Sequence, residues 1–145
     1  MANKDCLEWL RFAQMDIDVA LQLFSQQQNP RHRPIEAILY HCQQGAEKAL
    51  KAFMVGNGYF PPKTHEMQEL RIICEQWDIK FKNVRLTKHC AVLDPFAVNI
   101  RYPKHNLSLD SIVAQRGLNS AKRIYDFVRD RLGLDRVYFS KGEQA

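Results

Sequence analysis

The stretch Ile35-Glu36-Ala37-Ile38-Leu39-Tyr40-His41-Cys42-Gln43-Gln44-Gly45-Ala46-Glu47-Lys48-Ala49-Leu50-Lys51-Ala52-Phe53-Met54-Val55 decides the fold. Apolar or small residues fall at Ile35, Ile38, Leu39, Cys42, Ala46, Ala49, Leu50 and Phe53. Steps of three and four draw one broad stripe on an α-helix. Pro34 suits the first turn, where a missing N–H matters little, and Gly56 or Gly58 supplies a left-handed cap. Glu47 and Lys51 stand four apart, acid first, an arrangement that supports an exposed helix by a few tenths of a kcal/mol. Beside the apolar stripe runs a polar one of His41, Gln44, Lys48 and Lys51. Periodicity alone reads it as the solvated flank of a central core helix. Gly45 and Ala46 mark close packing, so enlarging them is expected to harm the fold more than Lys48→Ala.

Outward from this helix, the pattern predicts four more. Residues 4–28 carry Leu10, Ala13, Ile17, Ala20 and Phe24 at helical spacing, and Asn29-Pro30 ends the run. Arg31-His32-Arg33 reads as a short exposed basic link. Thr64 is the expected cap of a third helix reaching to about Trp77. A fourth spans Val84–Leu93; Asp94-Pro95 either caps and restarts it or kinks it, and Pro103 stops it. A fifth runs to about Leu132, capped by Ser108 or Asp110, with Gly117 as a close-contact point. The expectation is therefore an all-α chain: an antiparallel helical bundle of about five helices over residues 4–132. Residues 133–145 form a tail or docking arm.

At 145 residues one domain is the simplest division. No apolar run approaches the roughly 18 residues of a membrane span, and the N-terminus lacks the apolar core of a signal peptide. The four cysteines, Cys6, Cys42, Cys74 and Cys90, are too widely spaced for a Cys-x-x-Cys site. Free buried thiols in a cytoplasmic protein are expected. The net charge is +5, all of it in one window. Lys80, Lys82, Arg85, Lys88, Arg101 and Lys104 face only Asp94 there, while the other 15 bases and 15 acids balance. A concentrated basic segment points to an anionic partner, a nucleotide or RNA, or else to a solubilising face.

His-Cys-Gln-Gln-Gly-Ala-Glu-Lys-Ala-Leu-Lys-Ala at 41–52 resembles the second helix of the HEPN family, small helical proteins of prokaryotes and some eukaryotes. Three further pieces match in order. Trp9 and Ala13 precede an Asp-rich turn at Asp16 and Asp18, Thr64-His65-Glu66-Met67 opens a helix, and Arg101-Tyr102-Pro103 closes another. The resemblance covers roughly residues 4–132. It implies a homodimer with a four-helix up-and-down core, and the apolar residues Trp9, Leu86 and Phe127, which lie off the main stripes, agree with a dimer interface.

The window ends in Arg101-Tyr102-Pro103-Lys104-His105. A guanidinium grips phosphate oxygens in a fork, and an imidazole near neutral pKa moves protons. The ribonucleases the sequence resembles carry an Arg, four to six residues, then a His; here three residues separate Arg101 from His105. The Arg-Tyr-Pro ending is similar to the HEPN branch linked to small nucleotidyltransferases and to nucleotide binding. The resemblance thus implies a nucleotide- or nucleic-acid-binding module partnering a nucleotidyltransferase in a toxin–antitoxin-type pair. The expected ligand-binding residues are Arg101, Lys104, His105, Lys88 and Lys48. The alternatives are a metal-independent endoribonuclease with Arg101 and His105 as its catalytic residues, and a non-catalytic adaptor. No cofactor or metal is called for: Gly56-Asn57-Gly58 leads into Pro61-Pro62 rather than a phosphate-binding helix, and no His-Glu-x-x-His or Ser/His/Asp set occurs.

Overall fold

A computed structural model describes residues 2–97 and 109–143. Among these residues there are five α-helices and no strand: α1 (Lys4–Gln26), α2 (Ile35–Gly56), α3 (Met67–Cys74), α4 (Val84–Leu93) and α5 (Ser111–Arg131). The expected all-α bundle is the observed one. Local chemistry sets several helix ends. The side chains of Asn3, Asn83 and Asp110 accept from the backbone N–H groups of Cys6, Leu86 and Val113, satisfying orphan donors of α1, α4 and α5. Asp94-Pro95-Phe96 continues α4 as a single 3₁₀ turn.

α2 is the axis. Buried residues lie on nearly every side of it, from Ile38 to Met54. It packs most extensively on α1 and then on α5, and α4 closes on α5. Pairings between the helices fix their directions. Asn3 Nδ2 donates to Val55 O, so α1 and α2 are antiparallel. Arg33, just before α2, donates to Ser111 Oγ at the start of α5, so those two helices run together. His89 meets Ser120 while Leu93 nears Gly117, so α4 opposes α5. The four long elements thus alternate up and down. α3, lying alongside α2 through Met67–Gln43 and Cys74–Leu50, is part of the return path.

Two glycines set the closest helix approaches. A Cβ on Gly45 would stand 2.6 Å from Ile17 Cγ1 and 3.0 Å from Ala13 O; one on Gly117 would stand 2.6 Å from Leu39 Cδ2. α1 and α5 therefore reach α2 where it or they lack a side chain. All four cysteines are buried and free. Burial pushes the thiols of Cys42 and Cys90 up to about 12, and those of Cys6 and Cys74 upward as well, so they behave as small hydrophobes.

Several expectations are corrected. α3 starts at Met67, not at Thr64, because the Thr64 hydroxyl accepts from Glu66 N and donates to Glu69 before the helix begins. Arg33 is no free link: its Nε donates to the carbonyls of Phe24 and Gln27, closing the end of α1, and its guanidinium lies 4.0 Å from the Phe24 ring. Leu86 is in the core and so is not surplus at an interface, while Trp9 and Phe127 are partly buried against the core. The outward face of α1 instead exposes Phe12, Met15 and Val19. The chain after α5 docks on the bundle. Asp126 accepts the backbone N–H groups of Val137, Tyr138 and Phe139, and the Tyr138 hydroxyl donates to Asp18.

Candidate functional site

The polar stripe of α2 is not a solvated flank. Because Gly45 lets α1 come close, Asp16 reaches both the turn before it and the turn after it. Asp16 Oδ1 pairs with His41 Nδ1 at 2.9 Å and Oδ2 accepts from Lys48 Nζ. One helical turn further round, Glu47 is buried, with only 5% of its side chain exposed, and Lys51 with 8%. Glu47 accepts from Gln43 Nε2 at 3.0 Å, Lys51 Nζ at 2.9 Å and His65 Nδ1 at 2.9 Å. Gln43 Nε2 also donates to His65 O, fixing the segment before α3 onto α2. The Glu47–Lys51 pair is thus a core ion pair rather than a surface one, and its weight is set by desolvation and not by helix propensity.

The flank presents two imidazoles, each tied through Nδ1 to a carboxylate, with Nε2 left over. His41 is 30% and His65 54% exposed. Lys48 shares Asp16 with His41, Gln43 shares Glu47 with His65, and Gln44 Nε2 donates to Gln43 Oε1. This arrangement can hold an anion and pass protons. Among the described residues no three His, Cys, Asp or Glu side chains gather to hold a metal ion.

A second charged surface lies on α4. Lys80, Lys82, Arg85 and Lys88 are exposed, and none of them has a carboxylate partner among the described residues. Arg85 stands in the first turn of α4, which contains no acidic residue. Its charge therefore adds to the positive end of the helix dipole, an arrangement that costs about 0.3–1 kcal/mol. Behind the row, His89 Nδ1 meets Ser120 Oγ at 2.9 Å. Burial, and then the charge of Arg123, lower the His89 pKa and keep the ring neutral. Arg123 itself lies 3.6 Å from the Phe139 ring, with a buried Nη1 that has no partner among the described residues.

Of the residues singled out from the sequence, Lys88 sits on this α4 row and Lys48 on the α2 flank, ion-paired with Asp16. They occupy different surfaces. Arg101, Lys104 and His105 lie outside the described residues. Asp16, Glu47 and His65 were not singled out as site residues, although all three fall within the pieces that carry the family resemblance.

The sequence model of the HEPN domain matches residues 6–131. Among solved structures, the chain is similar to the crystal structure of TT1696 from Thermus thermophilus. The TM-score is 0.76 and the identity 21%, over 89% of this chain and 99% of that one. No curated protein matches in sequence. No described helix is long and apolar enough to cross a membrane.

Proposed function

The chain belongs to the HEPN domain family, and on that footing we propose that it is a binding module for a nucleotide or a single-stranded RNA. The observation that carries the reading is the α4 row. Lys82, Arg85 and Lys88 form an exposed row without an acid to offset them, and Arg85 stands at the positive end of the helix, which weakens the fold and favours a polyanion. Arg101, Lys104 and His105 then form the phosphate clamp at the end of the basic window, with Arg101 as its fork. The protein acts in the cytoplasm as a homodimer and partners a small nucleotidyltransferase in a toxin–antitoxin-type system.

Titration of RNA and of ATP at two salt concentrations tests the reading. RNA affinity is expected to fall with salt, with a log–log slope of about −0.7 per phosphate neutralised. Arg101→Lys is expected to weaken both ligands despite the retained charge. Equal binding by wild type and Arg101→Ala at both salts removes Arg101 from the site. Light scattering is expected to report about twice the 17.0 kDa chain mass.

A second reading, metal-independent RNA cleavage, is favoured by the two carboxylate-held imidazoles of the α2 flank. In it Arg101 steadies the developing charge and His105 moves a proton. RNA cleavage in the presence of chelator that is lost on His105→Ala selects this reading; saturable binding without turnover selects the first.

A further inference from the structure

On another part of the surface, the first turns of α1 and the 57–61 loop enclose a groove of about 450 Å³. Asp5, Glu8, Trp9, Tyr59, Phe60 and Pro61 line it. We propose that this groove docks an arginine-bearing peptide segment of a protein partner.

Two features of opposite kind meet there. The first is apolar. Phe60 is 87% exposed and Tyr59 41% exposed, an unusual display of adjacent aromatic rings beside a proline. The rings are not on a loose loop. Asn57 Nδ2 donates to Phe53 O, Tyr59 N donates to Met54 O, and Gly58 turns the chain at φ +75°. The Tyr59 ring packs 5.3 Å from that of Trp77, and Asn3 Nδ2 clamps the start of α1 to Val55 O. The groove is therefore formed before any partner arrives.

The second feature is charge. On a chain of net charge +5, this groove carries two carboxylates. Asp5 has no partner among the described residues. Glu8 pairs with Arg11 and also feels the charge of Lys4 one turn back; the Arg11 pair is exposed on both sides, so an incoming cation can displace it. Aromatic faces flanked by carboxylates attract a guanidinium through both the ring quadrupole and direct charge. The same carboxylates repel phosphate, so neither RNA nor an anionic lipid surface fits. Phe12, exposed one turn beyond Trp9 on α1, extends the apolar surface for the peptide's flanking residues.

The test is a titration of the whole chain with a blocked pentapeptide alternating glycine and arginine, followed by NMR of the Trp9 indole. A saturable shift is expected, weakened about fivefold by Phe60→Ala and by the pair Asp5→Asn with Glu8→Gln. It is also expected to be lost at about 1 M salt, where screening acts within about 3 Å. Phe60 is so exposed that its removal leaves the fold intact, and a thermal melt checks this. Equal binding of the peptide with glutamine in place of arginine overturns the proposal, as does unchanged binding by Phe60→Ala. Sedimentation showing self-association that Phe60→Ala abolishes, with no peptide present, makes a second copy the occupant and equally overturns it.

Discussion

Replacing Arg85 by Glu is expected to strengthen the fold and weaken the interaction with RNA in one step. Arg85 lies in the first turn of α4, just after the Asn83 cap, on an exposed face with no acid in the turn. The substitution removes a cation from the positive end of the helix and places an anion there. Each half of that exchange is worth about 0.3–1 kcal/mol, so the sum is about 1 kcal/mol. Glu at this position also stands three residues before Lys88, which adds about 0.2–0.5 kcal/mol. For a chain of this size a gain of about 1 kcal/mol raises the melting temperature by about 3 °C. Fluorescence anisotropy with a labelled single strand reads the other half. The salt slope is expected to flatten by about 0.7 for the lost phosphate contact, and further for the repulsion. Arg85→Ala is expected to show part of both effects. A fall in melting temperature, or an unchanged salt slope, refutes the view that this cation is held against the helix for the sake of a polyanion.

Gly45→Ala is expected to destabilise by about 1–3 kcal/mol in a chemical melt, because its Cβ meets backbone at Ala13 as well as Ile17. Gly117→Ala is expected to cost less, since only the tip of Leu39 has to move. The folded His89 pKa lies below its ordinary value, so its stability contribution is present above about pH 6.5 and is lost as pH falls toward the folded pKa. The melting temperature of His89→Gln is accordingly expected to fall less than that of wild type between about pH 7 and 5, the window below the unfolded pKa. Glu47→Leu is expected to cost about 3–5 kcal/mol by stranding Lys51, and the double change Glu47→Leu with Lys51→Met to recover most of it.

The bundle was legible because α2 repeats its apolar positions over more than five turns, and α1 and α5 do the same over similar lengths. Gly117 was legible too, since a poor helix former inside a long helical pattern points to close packing. The meaning of the polar stripe was not. Glu47 and Lys51 have the spacing of a surface pair, and nothing local distinguishes them from one. They are buried because the segment before α3 returns over α2 and brings His65 and Met67 onto Gln43 and Glu47, contacts about twenty residues apart in the chain. Asp16 was legible only as part of an acidic turn; its role depends on the approach that Gly45 permits. The helix start misjudged at Thr64, and the link at Arg33 read as free, have more local causes. The Thr64 hydroxyl is taken up by Glu66 N and Glu69 ahead of the helix, while Arg33, placed in a link, donates to Phe24 and Gln27 at the end of α1.

The two halves of the α2 flank use the same device. A carboxylate with little exposure takes the Nδ1 of one histidine and the ammonium of one lysine, Asp16 with His41 and Lys48, Glu47 with His65 and Lys51. For cohesion alone this is a poor choice, because a buried ion pair is often matched or bettered by apolar side chains of the same volume. What the apolar substitute cannot do is hold an imidazole by Nδ1 and leave its second nitrogen outside the pair. The Glu47→Leu and Lys51→Met pair separates these roles. A doubly changed protein that melts at the wild-type temperature, yet binds or turns over RNA less well, assigns the buried charges to presentation of His65. One that melts far lower assigns them to the fold, and then the flank is scaffolding for the segment before α3.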